Sequence, residues 1–283
     1  MRLLNLIESY FYAIDDTKIF YRRDIPSSST CIVIIAHGYM EHSGRYIDFA
    51  EKLVANNIGV CIIDHRGNGR SEGEEGDVED FFSFVTDIKA LTTALSKYNK
   101  KIMTFGHSMG GLITFLYGLK YPGDVIGQIF SSPALGVPLG CKFLPQSLYE
   151  HLGQIPGAKI YRMGQELAVR NKMFLEKFKD DIDCNEYATG RFMDQFLRVG
   201  MQYAIVNASQ YRVKSLFLLG DADHVIPIDR NQSILTKITK ADKKVVVYEG
   251  CMHDLLHDLD ENIECVTEDT LKWLLDVVES INN

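Results

Sequence analysis

The strand-like run Lys101-Ile102-Met103-Thr104-Phe105 passes directly into Gly106-His107-Ser108-Met109-Gly110-Gly111 and then into the helix-like Leu112-Ile113-Thr114-Phe115-Leu116. A chain that goes from strand to helix over so few residues must turn sharply at the middle one, and the small Gly106 and Gly110 let neighbouring backbone pass beside it. Such a turn lifts the Ser108 hydroxyl clear of the backbone, where a base can take its proton and make it a nucleophile. G-x-S-x-G also occurs in ordinary Gly-rich turns. Its position between a strand and a helix is what gives it weight here.

The rest of the chain repeats this alternation. Residues 31–36, 60–63, 102–105, 125–130 and 216–219 are apolar runs of the kind needed by strands buried on both faces. Helical spacing fills 45–57, 78–98 and 110–121. Strand followed by helix, repeatedly, predicts an α/β architecture with a mostly parallel sheet covered on both faces and functional loops at the strand C-termini. Residues 10–14 and 18–22 flank Asp15-Asp16 and predict an antiparallel hairpin at the start of the sheet; 245–248 and a helix near 264–281 close the core. Between 135 and 211 helical spacing continues without a convincing buried strand, which predicts an inserted helical cap. The chain is therefore expected to divide into core (1–134), cap (135–211) and core again (212–283).

With 283 residues, 46% of them hydrophobic, the chain can bury one large core. A net charge of -8 offers no basic face for phosphates, so nucleic-acid binding is not expected and a neutral or apolar substrate suits better. Asn5 and Glu8 interrupt the first apolar residues before a secretion signal can form, and no run approaches the roughly 18 to 20 apolar residues of a membrane span. Cys31, Cys61, Cys141, Cys184, Cys251 and Cys265 are scattered without C-x-x-C spacing, as in a reduced, cytoplasmic protein.

A nucleophilic serine needs a base and a carboxylate that holds the base in the right tautomer, and this architecture supplies them later in the chain, acid before base. Gly220-Asp221-Ala222-Asp223-His224 follows the run 216–219, and Asp223 is favoured over Asp221 as the acid, although either can serve as a turn residue. Glu249-Gly250-Cys251-Met252-His253 follows 245–248, and His253 is favoured over His257 as the base. These two histidines are four residues apart, but the Glu of H-E-x-x-H and a third ligand are missing, so no metal or other cofactor is expected. Two backbone N–H groups should receive the oxyanion: that of Met109, after the nucleophile, and that of Tyr39, in the loop 37–46. His37, at the edge of that loop, is expected to fix it by hydrogen bonding.

His-Gly-Tyr-Met-Glu-His-Ser-Gly-Arg-Tyr at 37–46, Asp-His-Arg-Gly-Asn-Gly-Arg-Ser-Glu-Gly at 64–73, the elbow at 106–111, Gly-Asp-Ala-Asp at 220–223 and Glu-Gly-Cys-Met-His at 249–253 together resemble the monoglyceride lipase, lysophospholipase-like group of the α/β-hydrolases. The resemblance spans nearly the whole chain and implies Ser108, Asp223 and His253 as a catalytic triad. It also implies an apolar cap over an acyl tunnel and a polar head-group pocket to which Glu41 and Arg45 contribute; a loop salt bridge between these two is the alternative. Asn68 stands where the group often has histidine. Leu256 stands where mammalian members have a pocket histidine, which leaves glycerol selectivity open. Within the cap, Leu144, Leu148 and Leu152 share one helical face, to line the acyl path or pack on the core.

The expected substrate is a small acyl ester, a monoacylglycerol before others, with transient contact between cap and membrane surface compatible with a cytoplasmic protein. A short-chain carboxylesterase, a lysophospholipase and a thioesterase share the same acyl-serine chemistry. A ligand-binding protein on the same scaffold is the non-enzymatic alternative. The sequence is silent on oligomeric state.

Overall fold

The structure, a computed structural model, describes residues 4–139, 146–155, 157–161 and 165–282. The chain opens with the antiparallel pair β1 (Ile7–Tyr12) and β2 (Lys18–Asp24), turning through Asp16 at φ 63°. It then alternates β3 (Cys31–Ala36), α1 (Ile47–Ala55), β4 (Gly59–Ile63), α2 (Phe82–Leu95), β5 (Lys101–His107), α3 (Met109–Lys120) and β6 (Gly127–Ser131). The last part runs β9 (Ser215–Gly220), α8 (Ile228–Leu235), β10 (Lys243–Tyr248) and α9 (Asp260–Asn282). Between β6 and β9 the chain leaves the sheet and forms α4 (Gln146–Gly153), β7 (Lys159–Tyr161), α5 (Lys172–Lys179), β8 (Tyr187–Thr189) and α6 (Gly190–Asp194), which continues through a π-helical stretch, Gln195–Met201, into α7 (Gln202–Asn207).

The eight main strands lie in the order β1-β2-β4-β3-β5-β6-β9-β10, antiparallel up to β4 and parallel beyond it. This is the α/β-hydrolase fold. β3, β4, β6 and β9 are buried along their whole length, and the reason shows in β3: Ile32 and Ile34 join the apolar cluster on one face of the sheet, while Cys31, Val33 and Ile35 join the cluster on the other. Successive strand residues point to opposite faces, so a sheet covered on both sides needs the unbroken apolar run seen in the sequence. The edge strand β10 instead leaves Val245 and Val247 exposed.

β7 and β8 pair antiparallel in a small separate sheet. They are three residues long and mostly not buried, which is why no apolar run announced them. α8 buries only Asn231, Ile234 and Leu235, too few for a helical period to stand out. No helix among the described residues is long and apolar enough to cross a membrane.

Crowding fixes the elbow between β5 and α3. A Cβ on Gly110 would collide with the Ala36 and His37 carbonyl oxygens, and one on Gly106 with the Gly110 carbonyl and the Thr114 hydroxyl. Gly123, just beyond α3, has open space around it. Gly110→Ala should therefore cost about 1–3 kcal/mol or more of stability through backbone overpacking, whereas Gly123→Ala should stay within about 0.5 kcal/mol of the parent. Denaturant melts of both variants check this, and equal midpoints would show that the elbow relaxes around the extra methyl.

Candidate active site

Ser108 sits between β5 and α3 at φ 50° and ψ -115°, a backbone conformation that a residue with a side chain adopts only when its surroundings enforce it. Its N–H donates to the Ser131 carbonyl at 3.0 Å, and its own carbonyl accepts from Leu112 and Ala134 at 3.1 and 2.9 Å. With the backbone pinned, the hydroxyl points at the loop after β10, where Ser108 Oγ lies 2.8 Å from His253 Nε2. His253 Nδ1 lies 2.7 Å from Asp223 Oδ2, in the loop after β9. The other Asp223 oxygen, Oδ1, accepts the N–H groups of Val225 and Ile226, both at 2.8 Å, so the carboxylate cannot rotate away. Asp221 faces elsewhere and accepts the Gly250 N–H at 2.6 Å.

An ionised carboxylate only accepts hydrogen bonds, so this chain is satisfied by a neutral His253 with its proton on Nδ1 and a bare Nε2 accepting the serine O–H. Ser108, His253 and Asp223 are all buried. Burial disfavours an imidazolium, but Asp223, with Asp254 and Glu41 behind it, outweighs that and holds His253 above the ordinary histidine range. The neighbouring His107, its ring centroid 5.1 Å from that of His253, is pushed the other way by burial.

The loop after β3 faces the elbow and carries Tyr39. His37 binds at both nitrogens: Nδ1–H donates to the Gly38 carbonyl at 2.8 Å, and Nε2 accepts the His65 N–H at 2.9 Å. It thus joins the loops after β3 and β4, and burial keeps it neutral. The Gly38 N–H donates to Glu41 Oε2 at 2.9 Å and Met40 takes a φ of 60°, which shapes the turn around Tyr39. Met109 opens α3, so its N–H belongs to the first turn, where helix N–H groups have no intrahelical acceptor. The Tyr39 ring packs against Phe192 and Phe196, at 5.5 and 6.2 Å between centroids.

Glu41 and Arg45 pair with each other in a salt bridge. Glu41 Oε1 pairs with Arg45 Nη2 at 3.3 Å, while Oε2, already bonded to Gly38, also accepts the Tyr46 O–H at 2.7 Å. Arg45 Nη2 reaches Asp254 Oδ2 at 3.2 Å, and His257 Nδ1 lies 2.9 Å from either Asp254 oxygen. The guanidinium carbon lies 4.6 and 3.9 Å from the Phe174 and Phe178 ring centres, so aromatic faces take up the charge where carboxylates do not. Burial would raise the Glu41 carboxyl, but Arg45 outweighs it and holds it down at about 2.

Asp254, the residue after His253, was not singled out from the sequence; the pattern that marks it is the acid three residues before His257. Leu256 packs in the apolar core, and the polar group near Arg45 is His257, whose Nε2 meets the Arg45 carbonyl at 2.8 Å. Beyond this network a groove of about 870 Å³ lies between α1, α5 and α9, lined by Arg45, Phe49, Phe174, Leu256 and His257 but not by Ser108. Leu148 and Leu152 on α4 are half-buried, and a Cβ on Gly190 at the start of α6 would collide with the Leu152 backbone. Leu144 and Cys141 lie outside the described residues.

Residues 27–260 match the family described as "Serine aminopeptidase, S33". A monoacylglycerol lipase of Mycolicibacterium smegmatis is 26% identical over 273 residues, covering 95% of this chain and 96% of that protein. A monoglyceride lipase of Rattus norvegicus is 29% identical over 268 residues, covering 92% of this chain and 88% of that one. The crystal structure of the Paleococcus ferrophilus monoacylglycerol lipase superposes with a TM-score of 0.81 at 25% identity, covering 97% of this chain and 100% of that one. Because the family match takes in the elbow and both loops that meet it, on a shared fold, the chain belongs to this serine aminopeptidase family of α/β-hydrolases and is a serine hydrolase.

Proposed function

We propose that this hydrolase cleaves carboxylic esters of single-chain lipids, monoacylglycerols before others, with Ser108 as nucleophile, His253 as general base and Asp223 as the group that orients it. The observation that carries the proposal is the unbroken hydrogen-bond chain from Ser108 Oγ through His253 to Asp223. In this mechanism Oγ attacks the ester carbonyl while Nε2 takes its proton, and Asp223 stabilises the resulting imidazolium. The N–H groups of Tyr39 and Met109 receive the oxyanion. Collapse expels the alcohol, which takes the proton from Nε2, and water then attacks acyl-Ser108 with His253 again as base, releasing a fatty acid.

Support for a lipid substrate comes from the relatives named above. Residues 135–211 act as the cap in this proposal, with Leu148 and Leu152 on the acyl path and transient contact with lipid surfaces from the cytoplasm. Glu41 and Arg45 hold the loop that carries Tyr39.

Ser108→Ala should cut ester turnover on the order of 10⁴-fold or more while leaving the melting temperature near that of the parent. A kcat/KM panel over acyl length and head group tests the substrate; good turnover of short soluble esters with refusal of every monoacylglycerol would replace a lipase by a general carboxylesterase. Because His253 must be neutral to act and is held above the ordinary histidine range, the acid limb of kcat/KM should have its midpoint above about 6.5. Asp223→Asn should lower that midpoint and cut the rate on the order of 10⁴-fold; a midpoint unmoved by the substitution would separate the limb from this pair.

Changing Leu148 and Leu152 together to Ser should reduce kcat/KM for long-chain esters more than for butyrate esters, by about 0.8 kcal/mol for each methylene that loses contact. Fluorophosphonate labelling of Ser108 reports whether the elbow survives. An equal fall on all chain lengths with labelling lost would mean that the two leucines only hold the fold.

A further inference from the structure

Where the segment between β6 and β9 meets the loop after β3, three ligating side chains converge. His42 Nε2 stands 2.9 Å from Asp181 Oδ2, and Cys184 Sγ joins them so that the three donor atoms lie within 4.8 Å of one another. Asp181 and Cys184 come from one tight turn, closed by the Cys184 N–H on the Asp181 carbonyl at 3.2 Å and by the Asp183 N–H on Asp181 Oδ1 at 3.2 Å. His42 comes from the opposite wall, its Nδ1 accepting the Gly44 N–H at 3.1 Å, with Asp183 Oδ2 4.0 Å from that nitrogen. His42 and Cys184 are buried and Asp181 is half-buried.

We infer that His42, Asp181 and Cys184 form a binding site for a divalent transition metal of the zinc type, with the fourth position taken by water. One imidazole, one carboxylate and one thiolate suit zinc and cobalt, whereas calcium and magnesium call for oxygen alone. Two carboxylates, Asp181 and Asp183, stand at His42, while Arg45 is taken up by Glu41 and Asp254. The adjoining set Glu41, His107 and Asp254 is also compact, but the Arg45 guanidinium fills it and leaves no place for an ion.

Burial pushes the Cys184 thiol up to about 12, against the pull of Arg45. On binding, the thiol gives its proton to solvent and the His42 proton passes from Nε2 to Nδ1, which must then exchange the Gly44 N–H for the Asp183 carboxylate, whose Oδ2 lies 4.0 Å away. A bound ion would hold residues 181–184 against the loop that carries Tyr39.

The full chain, reduced and freed of metal, is titrated with Co²⁺. The expected result is a sulfur-to-cobalt charge-transfer band that saturates at one equivalent and disappears when Zn²⁺ is added. Cys184→Ser should abolish the band, and Asp181→Asn, which keeps the side-chain volume, should weaken cobalt binding at least about tenfold at an unchanged melting temperature. No band at millimolar cobalt overturns the inference, as does a band that persists in Cys184→Ser or is indifferent to Asp181→Asn. None of these outcomes depends on which ester the enzyme cleaves.

Discussion

The close approach of α3 to the end of β3 is the constraint on which the site depends. Gly110 has no Cβ because the Ala36 and His37 carbonyls occupy that space, and Gly106 has none because Gly110 does. This contact sets the elbow against the loop that carries Tyr39, and together with the bonds from Ser131 and Ala134 it holds Ser108 at a positive φ. β5 lies between β3 and β6, with β9 next to β6, so the loops after β3, β5 and β9 open at one sheet end and the loop after β10 joins them. Strand order, a long-range property, thus brings together side chains far apart in sequence.

A second organising element is the buried guanidinium of Arg45. Burying an isolated charge is costly, but this one is surrounded by two carboxylates and two aromatic faces, and removing any one partner would leave the rest exposed to the same penalty. The network links the loop after β3, through Glu41, to the residue that follows His253. Structural polar groups and the hydrogen-bonded chain at Ser108 therefore share one electrostatic environment, in which His253 is raised and His107 lowered although both are buried.

The segment between β6 and β9 is tied to the core through several loops. The Asp254 N–H donates to the Ala168 carbonyl, Asn185 reaches the Gly67 carbonyl, and Arg191 pairs with Asp77. Its aromatic rings close on Tyr39, and its Asp181 meets His42. Any displacement of this segment would be felt at the loops around Ser108, because those loops supply its partners.

The sequence by itself determined the sheet. Unbroken apolar runs at 31–36 and 216–219 can be buried only on both faces, and two glycines flanking Ser108 allow a strand to turn into a helix without collision. Periodicity records burial and turn chemistry, which are local. What it does not record is which polar group meets which. Asp221 and Asp223 are equivalent as letters, and only the backbone after β9, offering two N–H groups to Asp223, turns that carboxylate toward His253. Nor does spacing show that Asp254, from the far end of the chain, joins Glu41 at the Arg45 guanidinium. β7 and β8 went unseen because strands of three residues, mostly not buried, carry no apolar signature. Pairings across such distances depend on how loops from separate strands converge, and that was left to the tertiary structure.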